Sequence, residues 1–185
     1  MKKYTSNELK KIENTVLNLS ETINDFKDFY QPSQEKSLHT IHKPVETALN
    51  IVRASFTSNS IQIKENYDET LLYELHFNEL TQVILNLLQN AMDELLEHKV
   101  EHPAITLTTR KEQDTLYIEI CDNGQGIDTN IADKIFDPYF STKKSKNGSG
   151  LGLYMSKMII EDHHGGRVYL DKEKEMTSFT ISFPM

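Results

Sequence analysis

Hydrophobic residues are most densely packed between residues 81 and 97, where the sequence reads TQVILNLLQNAMDELLE. Read as a helix, this stretch is apolar nearly all round, which is typical of a helix inside a domain. Four polar side chains nevertheless follow one face at helical spacing: Gln82, Asn86, Asn90 and Asp93. Burying such groups without partners costs about 1–3 kcal/mol each. This polar stripe therefore faces either a hydrogen-bond network within the protein or a cavity that holds a polar ligand.

Hydrophobic positions between residues 9 and 30 alternate at spacings of three and four, the pattern of a helix that pairs with other helices. Pro32 ends this pattern, because proline disfavours helical backbone in the residue before it. The sequence therefore predicts a coiled-coil-type helix over residues 1–31, a linker over 32–43 and a folded domain over 44–185.

The predicted domain combines helical periodicity with the strict alternation of strands. Helices are predicted from Pro44 to about residue 56, over 81–97 and from about 148 to 162, with a short helical turn at 131–135. Strands are predicted near 61–65, 71–73, 104–110, 115–122, 167–171 and 178–183. This order favours the α+β fold class, with two layers in which about three helices cover a mixed sheet of four or five strands.

Composition narrows the classes of partner. The net charge is −8 and the pI is near 5.4, which argues against a general binder of nucleic acid or anionic membranes. Cys121 is the only cysteine, so the sequence contains neither a disulfide framework nor a cysteine-rich metal site. No apolar run approaches the ~18 residues of a membrane-spanning helix. These features together predict a cytoplasmic domain without direct membrane contact.

A predicted strand runs into the segment DNGQG at residues 122–126. Gly124 and Gly126 permit positive φ and allow the backbone to approach a flat ligand. Asp122 would offer a carboxylate acceptor to an exocyclic amine. The alternative is a simple turn, which the same residue types also favour.

The segment STKKSKNGSGLGL at residues 141–153 places three lysines before a predicted helix start rich in glycine. Local positive charge, free backbone N–H groups and the positive end of a helix are the chemistry that holds a triphosphate. A solvated loop before a helix is the alternative. Taken together, the polar stripe and the two glycine segments offer groups for the metal, the base and the phosphates of one nucleotide.

Four ordered motifs resemble the signature boxes of bacterial sensor histidine kinases, which belong to the GHKL superfamily with its Bergerat ATP-binding fold. NLLQNAMDEL resembles the N box, DNGQGI the first glycine box, FDPYFSTK the F box, and GSGLGLYMSKMII with HHGG the second glycine box. The resemblance covers about residues 38–185. The helix of residues 1–31 is similar to the second helix of the dimerisation and histidine-phosphotransfer hairpin.

The resemblance implies ATP and Mg²⁺ as cofactors. It makes Asn90 the Mg²⁺ ligand, Asp122 the acceptor for the adenine amino group and Lys143 a contact of the γ-phosphate. The nucleotide site as a whole would comprise Asn86, Asn90, Asp93, Asp122, Gly124, Gly126, Gly148, Gly150, Leu151 and Gly152.

Asn86 bears on the type of reaction. Related GHKL ATPases carry a glutamate one helical turn before the metal-binding asparagine, where it activates water. An amide cannot act as a general base, so transfer to a histidine is favoured over hydrolysis. Asn86 and Lys143 are accordingly the residues expected to act in catalysis. A GHKL ATPase or serine kinase, and a degenerate binding module, remain the alternatives.

None of the seven histidines matches the family's acceptor setting, so the acceptor is expected on a helix absent from this chain. The expected partners are that acceptor helix, the receiver domain of a response regulator and, at full length, a second copy of the kinase. The chain alone is expected to bind Mg·ATP with little turnover and to be inactive in autophosphorylation.

Overall fold

The computed structural model describes residues 35–142, 149–171 and 176–185. The helix predicted for residues 1–31 lies outside the described residues. Lys143 and Gly148, both predicted to contact phosphates, lie outside them as well.

Apart from β1 and residues 131–135, helices and strands follow one another in the predicted order. They are β1 (Ser37–Thr40), α1 (His42–Ser58), β2 (Gln62–Tyr67), β3 (Leu72–Leu75), α2 (Phe77–Glu97), β4 (Ala104–Glu112), β5 (Thr115–Asp122), α3 (Gly152–Met158), β6 (Arg167–Leu170) and β7 (Thr177–Pro184). A π-helical turn, Ile159–His163, continues α3.

Five strands form one mixed sheet in the order β2-β4-β5-β7-β6. The β2–β4 pair is parallel and the other pairs are antiparallel. Buried and partly exposed positions alternate along β5, so one face of the sheet turns to the core. The α+β fold class is confirmed, with helices over one mixed sheet.

The core lies between this sheet and the helices. α2 buries a set of apolar side chains at spacings of three and four, namely Leu80, Val83, Ile84, Leu87, Leu88, Ala91 and Leu95. α1 packs against α2 and contributes Phe56, which is fully buried. Removing these side chains from water stabilises the domain, at about 1.5–3 kcal/mol for each large one.

Two local features differ from the sequence-based expectation. Within the predicted linker of residues 32–43, β1 pairs antiparallel with β3 and α1 begins at His42, two residues before Pro44. Residues 131–135 form turns with hydrogen bonds such as Lys134 N to Ile131 O, at 2.8 Å, rather than a helix. The described part of the chain contains no helix long and apolar enough to cross a membrane.

Candidate functional site

Three residues of the polar stripe, Asn86, Asn90 and Asp93, line a cavity of about 600 Å³. Further walls come from Asp122 and the segments that follow β5 and precede α3. Gln82, the fourth residue of the stripe, is exposed and does not reach the cavity. Of the two readings of the stripe, the structure therefore favours the cavity for its last three residues.

Asp122 lines the cavity. Its side chain is 3% exposed, and Oδ1 accepts a hydrogen bond from the Gly124 N–H at 2.9 Å. Burial raises the pKa of Asp122 to about 6, although the Gly124 amide favours the charged form. A buried acceptor that stays charged near neutral pH is well suited to an amine donor.

Gly124 does not line the cavity but allows Asp122 to be held in this way. A Cβ at residue 124 would lie 2.7 Å from Asp122 Oδ1 and 2.7 Å from Glu94 Cγ, so a side chain would displace one of them. Gly126 lines the cavity and has a φ of 78°, a conformation that glycine adopts without strain.

Two further residues that line the cavity were not singled out from the sequence. Thr177 is the register partner of Asp122 across β5 and β7. Its buried hydroxyl lies beside the Asp122 carboxylate and lowers the pKa of Asp122, although the contact falls short of good hydrogen-bond geometry. Glu94 Oε1 accepts a hydrogen bond from Gln125 N at 3.4 Å. The spacing of Glu94, four residues after Asn90 on the same helix, is a signal that could have revealed it.

The start of α3 forms another part of the cavity lining. Gly150 has a φ of 68°, and a Cβ there would lie 2.5 Å from the Tyr139 carbonyl carbon and 2.8 Å from Phe140 O. Gly150 and Gly152 line the cavity, whereas the Leu151 side chain is 2% exposed and packs away from it. The glycines thus let two backbone segments approach each other beside the cavity.

Asn86 connects this wall to α2. Its Nδ2 donates a hydrogen bond to Ser156 Oγ at 2.9 Å, and its Oδ1 lies against Gly152, where a Cβ would overlap it. Asn86 thus both lines the cavity and links α2 to α3 through a hydrogen bond.

Residues 76–185 match the family model described as "Histidine kinase-, DNA gyrase B-, and HSP90-like ATPase". This match covers more than half of the chain and includes every cavity residue named above. The chain belongs to this ATPase family.

Curated relatives in the family include sensor kinases. The chain is 33% identical over 157 residues to the sensory histidine kinase/phosphatase NtrB of Rhizobium leguminosarum bv. phaseoli, covering 78% of the chain and 40% of the relative. It is 31% identical over 168 residues to the sensor histidine kinase ZraS of Escherichia coli (strain K12), covering 90% and 34%. The chain thus spans less than half the length of these relatives.

Solved structures agree with this family. The catalytic domain of the histidine kinase ThkA matches with a TM-score of 0.71 at 26% identity, covering 82% of the chain and 96% of that domain. Two structures at 20% identity share the fold. They are ThkA in complex with the response regulator protein TrrA (TM-score 0.74, 100% of the chain and 53% of that one) and full-length ShkA in complex with AMPPNP (0.72, 99% and 40%).

The donor groups in the cavity of this ATPase family member suit a hard cation. Asn90 and Asp93 both line the cavity, and each carries a side-chain oxygen atom. Mg²⁺ usually takes only one or two protein ligands together with phosphates and water. The residues present therefore fit Mg²⁺ bound jointly with a nucleotide.

Proposed function

We propose that this domain binds Mg·ATP and is the catalytic ATP-binding domain of a sensor histidine kinase. It would transfer the γ-phosphoryl group to a histidine on a helix outside this chain. The observation that carries the proposal is the cavity itself. Its lining includes Asn86, Asn90, Asp122, Gly150 and Gly152. The match to the ATPase family and the kinase relatives support a nucleotide as the ligand of that cavity.

The cavity lining offers groups that suit both the base and the phosphates of ATP. The adenine amino group would donate to the Asp122 carboxylate, with Gly124 holding the carboxylate and Gly126 shaping the base pocket. The phosphates would lie towards the backbone N–H groups at the start of α3, including those of Gly150 and Gly152. Lys143 and Gly148 are proposed as further phosphate contacts, with Lys143 directed at the γ-phosphate.

Asn90 would hold Mg²⁺, with Asp93 in the same wall. The bound ion would neutralise part of the charge on the phosphate oxygens. Positioning and this local charge account for most of the catalysis that phosphoryl transfer requires of a protein.

The transfer itself needs no general base from this domain. A neutral imidazole nitrogen of the acceptor attacks the γ-phosphorus, and the bond from that phosphorus to the β,γ-bridging oxygen breaks. ADP leaves with the electron pair of that bond, and the phosphorylated imidazole loses its other N–H proton to solvent. Because Asn86 is an amide, it cannot deprotonate a water molecule, which favours this transfer over the hydrolysis of a GHKL ATPase.

The same proposal extends to the domain organisation, the partners and the location of the protein. Residues 1–31 would belong to the dimerisation and phosphotransfer hairpin, residues 32–43 to a linker and residues 44–185 to the catalytic domain, with β1 of the linker paired to β3. The partners would be the acceptor-histidine helix, a response regulator receiver domain and a second kinase copy at full length. ThkA in complex with a response regulator is one precedent for that kind of partner. Use of ATP is the ground for proposing a cytoplasmic location.

The test has two steps. Calorimetric titration with Mg·ATP is expected to show binding by the wild type and a loss of at least tenfold in affinity for Asn90→Ala and for Asp122→Ala, since each removes a hydrogen bond or ligand to a charged group, worth about 1.5–3 kcal/mol. Adding a helical hairpin that carries the acceptor histidine of a sensor histidine kinase is expected to yield acid-labile phosphohistidine. Unchanged affinity in both variants would refute the site, and acid-stable phosphoserine would point to a serine kinase.

A further inference from the structure

Ser156 is the buried residue of α3, with 2% of its surface exposed. A hydroxyl at the inward position of a short helix is costly unless it has a hydrogen-bond partner, because apolar side chains fill such positions at lower cost. Its described partner is Asn86, whose Nδ2 donates to Ser156 Oγ at 2.9 Å. Ser156 itself does not line the cavity, but its hydroxyl accepts a hydrogen bond from Asn86, which does.

The surroundings of this hydrogen bond fit the Asn86 amide closely. Gly152 precedes Ser156 by four residues, so the two lie on the same face of α3. A Cβ at Gly152 would overlap Asn86 Oδ1. The amide therefore fits between a hydroxyl and a residue without a side chain, and both neighbours come from the helix that begins at the cavity.

We propose that Ser156 is a positioning residue for nucleotide binding. Its hydroxyl fixes the Asn86 side chain in the cavity wall and thereby holds the Gly150–Gly152 end of α3 at a set distance from α2. A side chain that is already ordered loses less conformational entropy when the ligand binds. This inference rests on the proposed binding of Mg·ATP, and it assigns part of the affinity to a residue that does not touch the ligand.

The alternative role of Ser156 is to fill space between α2 and α3. That role predicts a loss of stability that is indifferent to the identity of residue 86. The positioning role predicts that the effect of Ser156 on affinity passes through Asn86 and disappears when Asn86 is absent. A double-mutant cycle separates these two cases.

The experiment compares the Mg·ATP dissociation constants of four proteins: the wild type, Ser156→Ala, Asn86→Ala and the double variant. Loss of one hydrogen bond is expected to weaken binding about fivefold in Ser156→Ala. In the Asn86→Ala background the same substitution is expected to change the affinity less than twofold. Ser156→Thr keeps the hydroxyl and is expected to restore most of the affinity, and melting temperatures identify any variant that fails to fold.

A wild-type affinity in Ser156→Ala would overturn the positioning role, and so would an equal fivefold loss in both backgrounds. Failure of the kinase assignment looks different, because it appears as the absence of phosphohistidine while Mg·ATP binding and the coupling between residues 86 and 156 persist. Absence of Mg·ATP binding by the wild type would overturn both proposals.

Discussion

The two halves of α2 each meet one buried titratable side chain, and burial shifts the two pKa values in opposite directions. Beside the C-terminal half, Asp122 is 3% exposed and its pKa is raised to about 6. At the N-terminal end, His164 is also 3% exposed and its pKa is lowered to about 4. Loss of water disfavours the charged form in both cases.

The surroundings of the two side chains differ. Asp122 opens onto the cavity, whereas His164 is enclosed, with the His76 ring centroid 5.4 Å away and that of Phe183 6.0 Å away. Glu79 Oε2 lies 3.5 Å from His164 Nε2 but is hydrogen-bonded to His163 Nδ1 at 3.0 Å. Neither ring nitrogen of His164 has a partner of good hydrogen-bond geometry in the described part of the chain.

The comparison shows that a shifted pKa does not by itself mark a functional site. Both side chains are disfavoured in their charged forms, but only Asp122 faces a space where a ligand can offer a partner. The pKa of His164 is lowered further by electrostatic repulsion from neighbouring side chains, namely His76, Lys36 and His163. We therefore assign His164 to stability and Asp122 to binding, and the two assignments predict opposite responses to acid.

The largest expected effect is on stability at low pH. The pKa of His164 falls from 6.5 unfolded to about 4 folded, so the stability of the neutral form is present above pH 6.5 and is lost as the pH falls towards 4. This shift corresponds to about 3 kcal/mol. His164→Phe removes the titrating group, so between pH 7 and pH 4.5 its free energy of unfolding is expected to fall less than that of the wild type, as measured by urea denaturation.

Asp122→Asn is the matched control because its pKa shift has the opposite sign. The folded pKa near 6 exceeds the unfolded value of 3.8, so the protonated carboxyl stabilises the domain at low pH and this contribution is lost as the pH rises through 6. Asp122→Asn is therefore expected to lose stability in acid more steeply than the wild type. Parallel curves for all three proteins would show that neither side chain is buried as described.

The next effect concerns nucleotide affinity, which should depend on the charge of Asp122. If the adenine amine binds the carboxylate form, the affinity is expected to be almost constant above pH 7 and to fall about tenfold by pH 5, because the free carboxyl titrates near 6. Calorimetric titration with Mg·ATP at pH 5, 6, 7 and 8 measures this dependence.

Asp122→Asn corrects for protonation of the ligand, because the phosphates of ATP titrate in the same range in both proteins. The variant is expected to bind more weakly at pH 7, and the ratio of its dissociation constant to that of the wild type is expected to approach one as the pH falls to 5. A ratio independent of pH would exclude Asp122 as a charged acceptor.

The sequence predicted most of the fold from local pattern. α2 was readable because twenty-one residues give several turns of periodicity, and β4 and β5 because eight or nine residues alternate in full. β1 was not readable, since its sequence SLHT has a single hydrophobic residue and the strand forms by pairing with β3, more than thirty residues later. The turns at 131–135 share short apolar spacings with a helix but not its length.

The candidate site was predictable where its groups lie on one element or in one motif. Asn86, Asn90 and Asp93 share a helix face, and Asp122 begins a glycine segment. Thr177 was missed because its place beside Asp122 comes from the register of β5 and β7, which no local pattern of residues specifies. Ser156 was missed for the same reason, because only the packing of α3 on α2 brings it to Asn86.

The smallest expected effect tests Thr177, the neighbour of Asp122 that has no titrating group. Its buried hydroxyl lies beside the Asp122 carboxylate and lowers the pKa of Asp122, but the contact lacks good hydrogen-bond geometry, so Thr177→Val is expected to change the free energy of unfolding by less than about 1 kcal/mol. If a bound nucleotide, directly or through water, supplies a partner of better geometry, the same substitution weakens Mg·ATP binding about fivefold. Thr177→Ser keeps the hydroxyl and is expected to retain the affinity. A valine variant that keeps its stability while losing affinity would show that this hydroxyl, like the Asp122 carboxylate and unlike the His164 ring, contributes to binding the ligand. Equal affinity of the valine and serine variants would assign Thr177 to packing alone.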